Sequence, residues 1–194
     1  MKKVGLLFGS FNPIHIGHTV VANYICEFHE LDEIWFVVTP QSPLKDKVLL
    51  ANAAQRLEMT KLAIAAYPKF KVCDIEFGLP QPNYTINTLD TLRAQNPDND
   101  FYFIIGADNW LQMPRWKNYD RICSDYKLLI YPRHNYEAQI PVERAQNICL
   151  TNAPRIEISS SFIREAIGNR KNICEFLQHD VYNYILSRKL YNAQ

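Results

Sequence analysis

Two histidines three residues apart, His15 and His18, follow the run Gly9-Ser10-Phe11-Asn12-Pro13 and open an apolar-rich segment. Residues 4–8 ahead of them are apolar and read as a buried strand, and residues 19–28 behind them read as a helix. Glycine lets backbone approach a ligand closely. A helix start offers unpaired N–H groups and the positive end of the helix dipole, and residues three apart share one face of its first turn. The chemistry this suits is a grip on a polyphosphate. A histidine pair could also bind a metal, but no third Cys, His or carboxylate lies at ligand spacing nearby.

A second candidate lies near the other end, at Ile158-Ser159-Ser160-Ser161-Phe162-Ile163-Arg164. Serines at a strand-to-helix junction are good N-caps. Counted from Ser161, the position where a capping box wants Glu or Gln is Arg164. A cation in the first turn opposes the helix dipole, so a bound anion is expected to offset it.

These residues need a scaffold, and the chain alternates strand and helix patterns throughout. Strands are predicted at 4–8, 33–39, 70–75, 101–105 and 127–131, with a last short one at 155–158. Helices are predicted at 16–29, 50–67, 85–94 with Thr85 as N-cap, 109–112, 159–167 and 181–186. Residues 132–150 carry no legible signal and are read as scaffold. Repeated βα units imply an α/β fold, a Rossmann-like doubly wound parallel sheet with a small C-terminal helical part. We expect one domain over 1–194, with 155–194 as a helical subdomain packed on it. In such sheets ligands sit beyond the carboxyl ends of the strands. The loops there are 9–18, 40–47, 78–85, 106–108 and 159–164, which are also the loops with unusual chemistry.

Bulk properties narrow the function. With 21 basic and 20 acidic residues the net charge is +1, which argues against a nucleic-acid face and against a polybasic membrane anchor. No apolar run is long enough for a transmembrane helix. Five scattered cysteines without Cys-x-x-Cys spacing suit reduced thiols and a cytoplasmic protein. A homo-oligomer is left open.

Gly-Ser-Phe-Asn-Pro-Ile-His-Ile-Gly-His, residues 9–18, resembles the signature of the H-x-G-H nucleotidyltransferases, and Ile-Ser-Ser-Ser-Phe-Ile-Arg, residues 158–164, resembles their later I-S-S-T-x-I-R motif. Pro82-Asn83-Tyr84-Thr85, Phe103-Ile-Ile-Gly106-Ala-Asp108 and Pro114-Arg115-Trp116 are similar to segments of one branch, the bacterial nicotinate-nucleotide adenylyltransferases. Pro43-Leu44-Lys45 and Gln55-Arg56 fit two further stretches, with Leu44 replacing His. Asn12 stands where many members carry Asp, and Ser161 where Thr is usual.

That resemblance implies adenylyl transfer from ATP to nicotinate mononucleotide, with Mg²⁺ accompanying ATP and no metal ligand from protein side chains. The mononucleotide phosphate would attack the α-phosphorus in line, without a covalent enzyme intermediate. His15, His18 and Arg164 would be catalytic. Gly9, Ser10, Phe11, Gly106, Asp108, Ser160 and Ser161 would join them in binding ATP. Both imidazoles would be protonated beside the phosphates. Lys45, Tyr84, Thr85 and Trp116 would bind the mononucleotide, Trp116 by stacking. Arg56 would add positive charge toward the phosphates or form a surface ion pair. Sister transferases acting on phosphopantetheine or nicotinamide mononucleotide, and a nucleotide-binding module without catalysis, are the competing readings.

Overall fold

A computed structural model of the chain describes residues 1–40 and 50–191. Six strands, β1 (Lys2–Gly9), β2 (Glu33–Val38), β3 (Phe70–Cys73), β4 (Asn99–Gly106), β5 (Lys127–Tyr131) and β6 (Ile148–Leu150), form one sheet in the order β3-β2-β1-β4-β5-β6. Every pairing is parallel. The order reverses between β1 and β4, and a crevice forms where strand order reverses.

The helices are α1 (Ile16–Phe28), α2 (Ala53–Ile64), α3 (Thr85–Gln95), α4 (Ala107–Trp110), α5 (Tyr119–Asp125), α6 (Ser160–Gly168) and α7 (His179–Ser187). Strand side chains alternate between two cores, as the pleat requires. Ile34, Phe36 and Val38 of β2, Ile104 of β4 and Leu129 of β5 pack under α1, α2, α6 and α7. Val4 and Leu6 of β1, Phe101, Phe103 and Ile105 of β4, and Leu128 and Ile130 of β5 pack under α3 and α5. The sheet is therefore covered on both faces, which is why its strands read as apolar runs. The C-terminal helices have no core of their own. Ile163, Ile167, Val181 and Ile185 join Ile25 and Met59 in the first cluster.

Four expected elements differ. The last strand is Ile148–Leu150, inside the stretch read as scaffold, and residues 155–158 form no strand. Ile156 and Ile158 alternate with exposed Arg155 and Glu157 like strand residues, but they pack on the core without a ladder partner. Helix α2 starts at Ala53, because the Asn52 side chain accepts from Gln55 N at 2.8 Å and Gln55 Oε1 accepts in return from Asn52 N, a reciprocal cap. Thr85 is the first residue of α3, and Tyr84 is its N-cap. Ser159, not Ser161, caps α6 by accepting from Phe162 N at 3.1 Å. Arg164 is thus the fifth residue of α6, and the expectation that it opposes the dipole in the first turn does not hold.

Candidate active site

The N-termini of α1 and α6 converge over the carboxyl edge of the sheet on a cavity of about 1020 Å³. It is lined by Gly9, Ser10, Phe11, Asn12, His15, His18, Asp108, Ser160, Ser161 and Arg164, so two motifs almost 150 residues apart in sequence meet. Ser160 Oγ joins them directly, donating to the Pro13 carbonyl at 2.9 Å. That bond uses the only proton of the hydroxyl, so Ser160 cannot also donate it to a phosphate. Ser161 Oγ instead accepts from Arg164 Nη2 at 3.2 Å, which keeps its own proton available.

The loop that carries the histidines is built tightly. Phe11 has a left-handed φ of 44° and its ring folds back under Gly9, where a Cβ would meet it at 2.7 Å. Gly9 is needed to seat that ring. Phe11 is 2% exposed and packs on His18 and Phe36, so its ring belongs to the core and only its backbone can serve a ligand. Asn12, the residue that stands in place of Asp, is a structural hub. Its Oδ1 accepts from Ala51 N at 3.0 Å and from Tyr191 Oη at 2.8 Å, while its carbonyl accepts from Arg164 Nη1 at 2.8 Å. An amide oxygen suffices for both side-chain bonds, and no carboxylate charge is called for.

His15 and His18 are a coupled pair. The His15 backbone N–H donates to His18 Nδ1 at 3.2 Å. An accepting Nδ1 places the proton of a neutral His18 on Nε2. His15 is 2% exposed, and burial, assisted by the Arg133 guanidinium, pushes its pKa down to about 3. At neutral pH these surroundings hold His15 neutral; protonation beside phosphates would have to overcome that burial.

Arg56 is neither a phosphate ligand nor a surface ion pair. It is 1% exposed, and burial lowers its pKa. Nη1 donates to Ser10 O at 2.5 Å and Thr39 O at 2.7 Å, Nη2 to Pro40 O at 2.5 Å, and Nε to Ala51 O at 3.1 Å. It braces the backbone behind the phosphate loop.

Arg133 was missed by sequence reasoning, along with the rest of the loop after β5. It lines the cavity, sits 3.7 Å from Asp108 Oδ1 through Nε, and donates from Nη2 to Tyr131 Oη at 3.2 Å. The signal was present: Pro132-Arg133 follows a strand directly, at the same sheet edge as every other candidate loop. Gly106, the last residue of β4, makes room for this group. A Cβ there would meet the Tyr131 ring at 3.0 Å and run into the Asp108 carboxylate.

Among the described residues Arg164 Nε is buried in the cavity lining without a hydrogen-bond partner, while Arg133 Nε and Asp108 Oδ1 face each other at 3.7 Å, beyond hydrogen-bond distance. Leaving such an atom unpaired costs about 1–3 kcal/mol, so each would gain from a partner.

Tyr84, Thr85 and Trp116 do not line this cavity; they gather beside it. Lys117 Nζ lies 4.5 Å over the Tyr84 ring, tying the two segments together. Trp116 is half-buried, 6.4 Å from Phe103, which meets Phe8 edge to face at 5.3 Å. Phe8 lines the cavity, so an aromatic series links the two sets. Below them the buried Glu76 accepts from Thr88 Oγ1 at 2.8 Å, and its carbonyl accepts from Asn83 Nδ2 at 2.8 Å. Burial raises its carboxyl pKa. Glu76 anchors the loop before α3 and gave no sequence signal. Lys45 lies outside the described residues.

The fold and site define a class. A model of the Cytidylyltransferase-like family matches residues 6–166, and the chain belongs to that family. Within it, the kinship is with nicotinate-nucleotide adenylyltransferases. The chain is 47% identical over 189 residues to a Bacteroides fragilis protein named "Probable nicotinate-nucleotide adenylyltransferase", covering 96% of this chain and 92% of that one. A Flavobacterium psychrophilum protein of the same name is 48% identical over 184 residues, covering 94% and 95%. The solved Plasmodium falciparum nicotinic acid mononucleotide adenylyltransferase, complexed with NaAD, shares the fold with a TM-score of 0.81 at 22% identity, covering 98% of both chains. Among the described residues no helix is long and apolar enough to cross a membrane.

Proposed function

We propose that the chain transfers the adenylyl group of ATP to nicotinate mononucleotide, giving nicotinate adenine dinucleotide and pyrophosphate, a step of NAD biosynthesis. The observation that carries this is the meeting of His15, His18, Ser161, Arg164 and Arg133 in one cavity where two helix N-termini converge. The kinship reported above supplies the acceptor.

In this reading the mononucleotide phosphate oxygen bonds to the α-phosphorus as the bond from that phosphorus to the β-phosphate oxygen breaks, and pyrophosphate leaves. The protein supplies position and charge. His18 donates from Nε2 to a phosphate oxygen. Arg164, Arg133 and the Ser161 hydroxyl hold the leaving group, together with the first-turn amides of α6. His15 donates from a neutral ring until a phosphate beside it raises its pKa. Phe8, Tyr131 and Ile156 give the nucleotide an apolar wall. Trp116 stacks on the pyridine ring, and the first turn of α3 receives its carboxylate. Mg²⁺ comes with ATP, held by phosphate oxygens and water. Among the described residues no group of three or more His, Cys, Asp or Glu is placed to hold a metal, and Asp108 faces Arg133.

The test is pyrophosphate release from Mg·ATP offered with nicotinate mononucleotide, nicotinamide mononucleotide or phosphopantetheine. Release fastest with nicotinate mononucleotide is expected. Release with phosphopantetheine alone, or ATP binding without release from any acceptor, overturns the proposal.

A further inference from the structure

Tyr191 reaches the phosphate loop from the opposite end of the chain. Its hydroxyl donates to Asn12 Oδ1 at 2.8 Å, across 179 residues of sequence. Asn12 is 3% exposed and lies between the left-handed Phe11 and Pro13. The segment from Ser10 to Pro13 is held by three distant side chains through its carbonyls: Arg56 on Ser10, Arg164 on Asn12 and Ser160 on Pro13. Tyr191 adds the hold from a side chain onto the Asn12 amide. Tyr191 is itself left-handed, with φ at 60°, while its ring packs on the core under α1, α2 and α7. Bulky residues keep such a backbone only where the surroundings impose it.

Ring and hydroxyl do separate work. The ring contributes apolar burial. Among the described residues the hydroxyl bonds the segment at Asn12 Oδ1, which would keep its bond from Ala51 N–H if the hydroxyl were lost. Removing the hydroxyl therefore leaves no buried acceptor unpaired, and the cost falls on where Asn12 sits. Its carbonyl orients Arg164, whose Nη2 in turn holds Ser161.

We propose that Tyr191 is a positioning residue for adenylyl transfer, holding Asn12 so that Arg164, His15 and His18 meet the ATP phosphates together. It touches no reacting atom, and the proposal rests on the adenylyltransferase reading. Burial pushes its phenol pKa well above the ordinary range, so the group remains an O–H donor at neutral pH.

The test is Tyr191→Phe, which keeps the ring. Expected are a melting temperature within about 3 °C of the parent, a kcat/KM for ATP reduced about three- to tenfold, and an unchanged KM for the mononucleotide. In an Asn12→Ala background the same substitution should add nothing, because the bond is already gone. Parent kcat/KM for ATP in Tyr191→Phe overturns the proposal, and so does an equal loss in the Asn12→Ala background. So does a loss in both substrates that tracks a lowered melting temperature. If Asn12→Ala does not fold, the split between the two substrates decides alone. If the parent chain releases no pyrophosphate, the enzyme reading fails by itself. Calorimetric ATP affinity then judges Tyr191: a three- to tenfold weakening in Tyr191→Phe sustains its role and parent affinity ends it.

Discussion

The rings of His15 and His18 lie 3.8 Å apart between centroids, tilted by 35°, and the backbone N–H of the first donates to Nδ1 of the second. That bond makes Nδ1 an acceptor, so a neutral His18 carries its donor N–H on Nε2. His18→Ala removes that donor without opening the core, since His18 is only half-buried. The loss of one preorganised donor at a developing charge costs about 10²- to 10³-fold in kcat. Steady-state kinetics with a parallel thermal melt check this: kcat should collapse with the melting temperature near the parent value. Parent-like turnover would remove His18 from the mechanism.

His15 makes stability depend on pH. Its pKa falls from 6.5 in the unfolded chain to about 3 in the fold, because burial and Arg133 disfavour the charged ring. Between those values the unfolded chain binds the extra proton, so stability rises with pH. The contribution is full above about pH 6.5 and is lost progressively as pH falls toward about 3. Denaturant titrations from pH 7 to pH 4 should show this decline, and His15→Gln should flatten part of it. An unchanged slope in His15→Gln would place the acid sensitivity elsewhere.

Arg56→Lys keeps the charge but not the fork. Four carbonyls, of Ser10, Thr39, Pro40 and Ala51, accept from Arg56. A lysine ammonium has three donors at one point and cannot span them. At least one or two buried carbonyls lose their partner, at about 1–3 kcal/mol each. The expected result is a destabilisation of about 3 kcal/mol by denaturant unfolding, with a normal KM for ATP in the folded fraction. A raised KM at parent stability would return Arg56 to the phosphates.

How much of this was visible in the chain depends on the kind of signal. The sheet was legible because β1, β2, β4 and β5 are buried on both faces and read as continuous apolar runs. β6 was not, because an edge strand of three residues with two exposed, Cys149 and Leu150, has no period to detect. His15, His18, Ser161 and Arg164 were legible as motifs because backbone and side chain both matter there, at fixed spacing. The jobs of Arg56, Asn12 and Glu76 were hidden, since each depends on partners far off in sequence. A cation in a list of charges looks the same whether it meets solvent or four carbonyls.

Arg133 carries the clearest addition to the site. Among the described residues its Nε has no hydrogen-bond partner, and the Asp108 carboxylate 3.7 Å away is too far for a direct bond. A phosphate oxygen entering the cavity can satisfy it. Arg133→Gln should lower kcat/KM for ATP about tenfold to a hundredfold, in line with one charge-assisted bond of about 1.5–3 kcal/mol. It should also relieve the charge beside His15, raising that pKa from about 3. NMR titration of the His15 ring checks the second effect independently of turnover. A ring that titrates unchanged would show that burial alone sets its pKa.

In the proposed reaction Trp116 would offer the acceptor its flat surface. The residue is half-buried against Phe103 and follows the tight turn Met113–Arg115, with Lys117 drawn onto Tyr84 at 4.5 Å. Packing therefore fixes one side of the indole and leaves part of it open. Stacking of an aromatic base on such a ring is worth about 1–3 kcal/mol. Trp116→Ala should raise the KM for nicotinate mononucleotide about tenfold or more and leave the KM for ATP near the parent value. Trp116→Phe, which retains a ring, should recover part of the loss. An effect confined to ATP would mean that the indole supports the cavity wall through Phe103 and Phe8 and does not touch the acceptor.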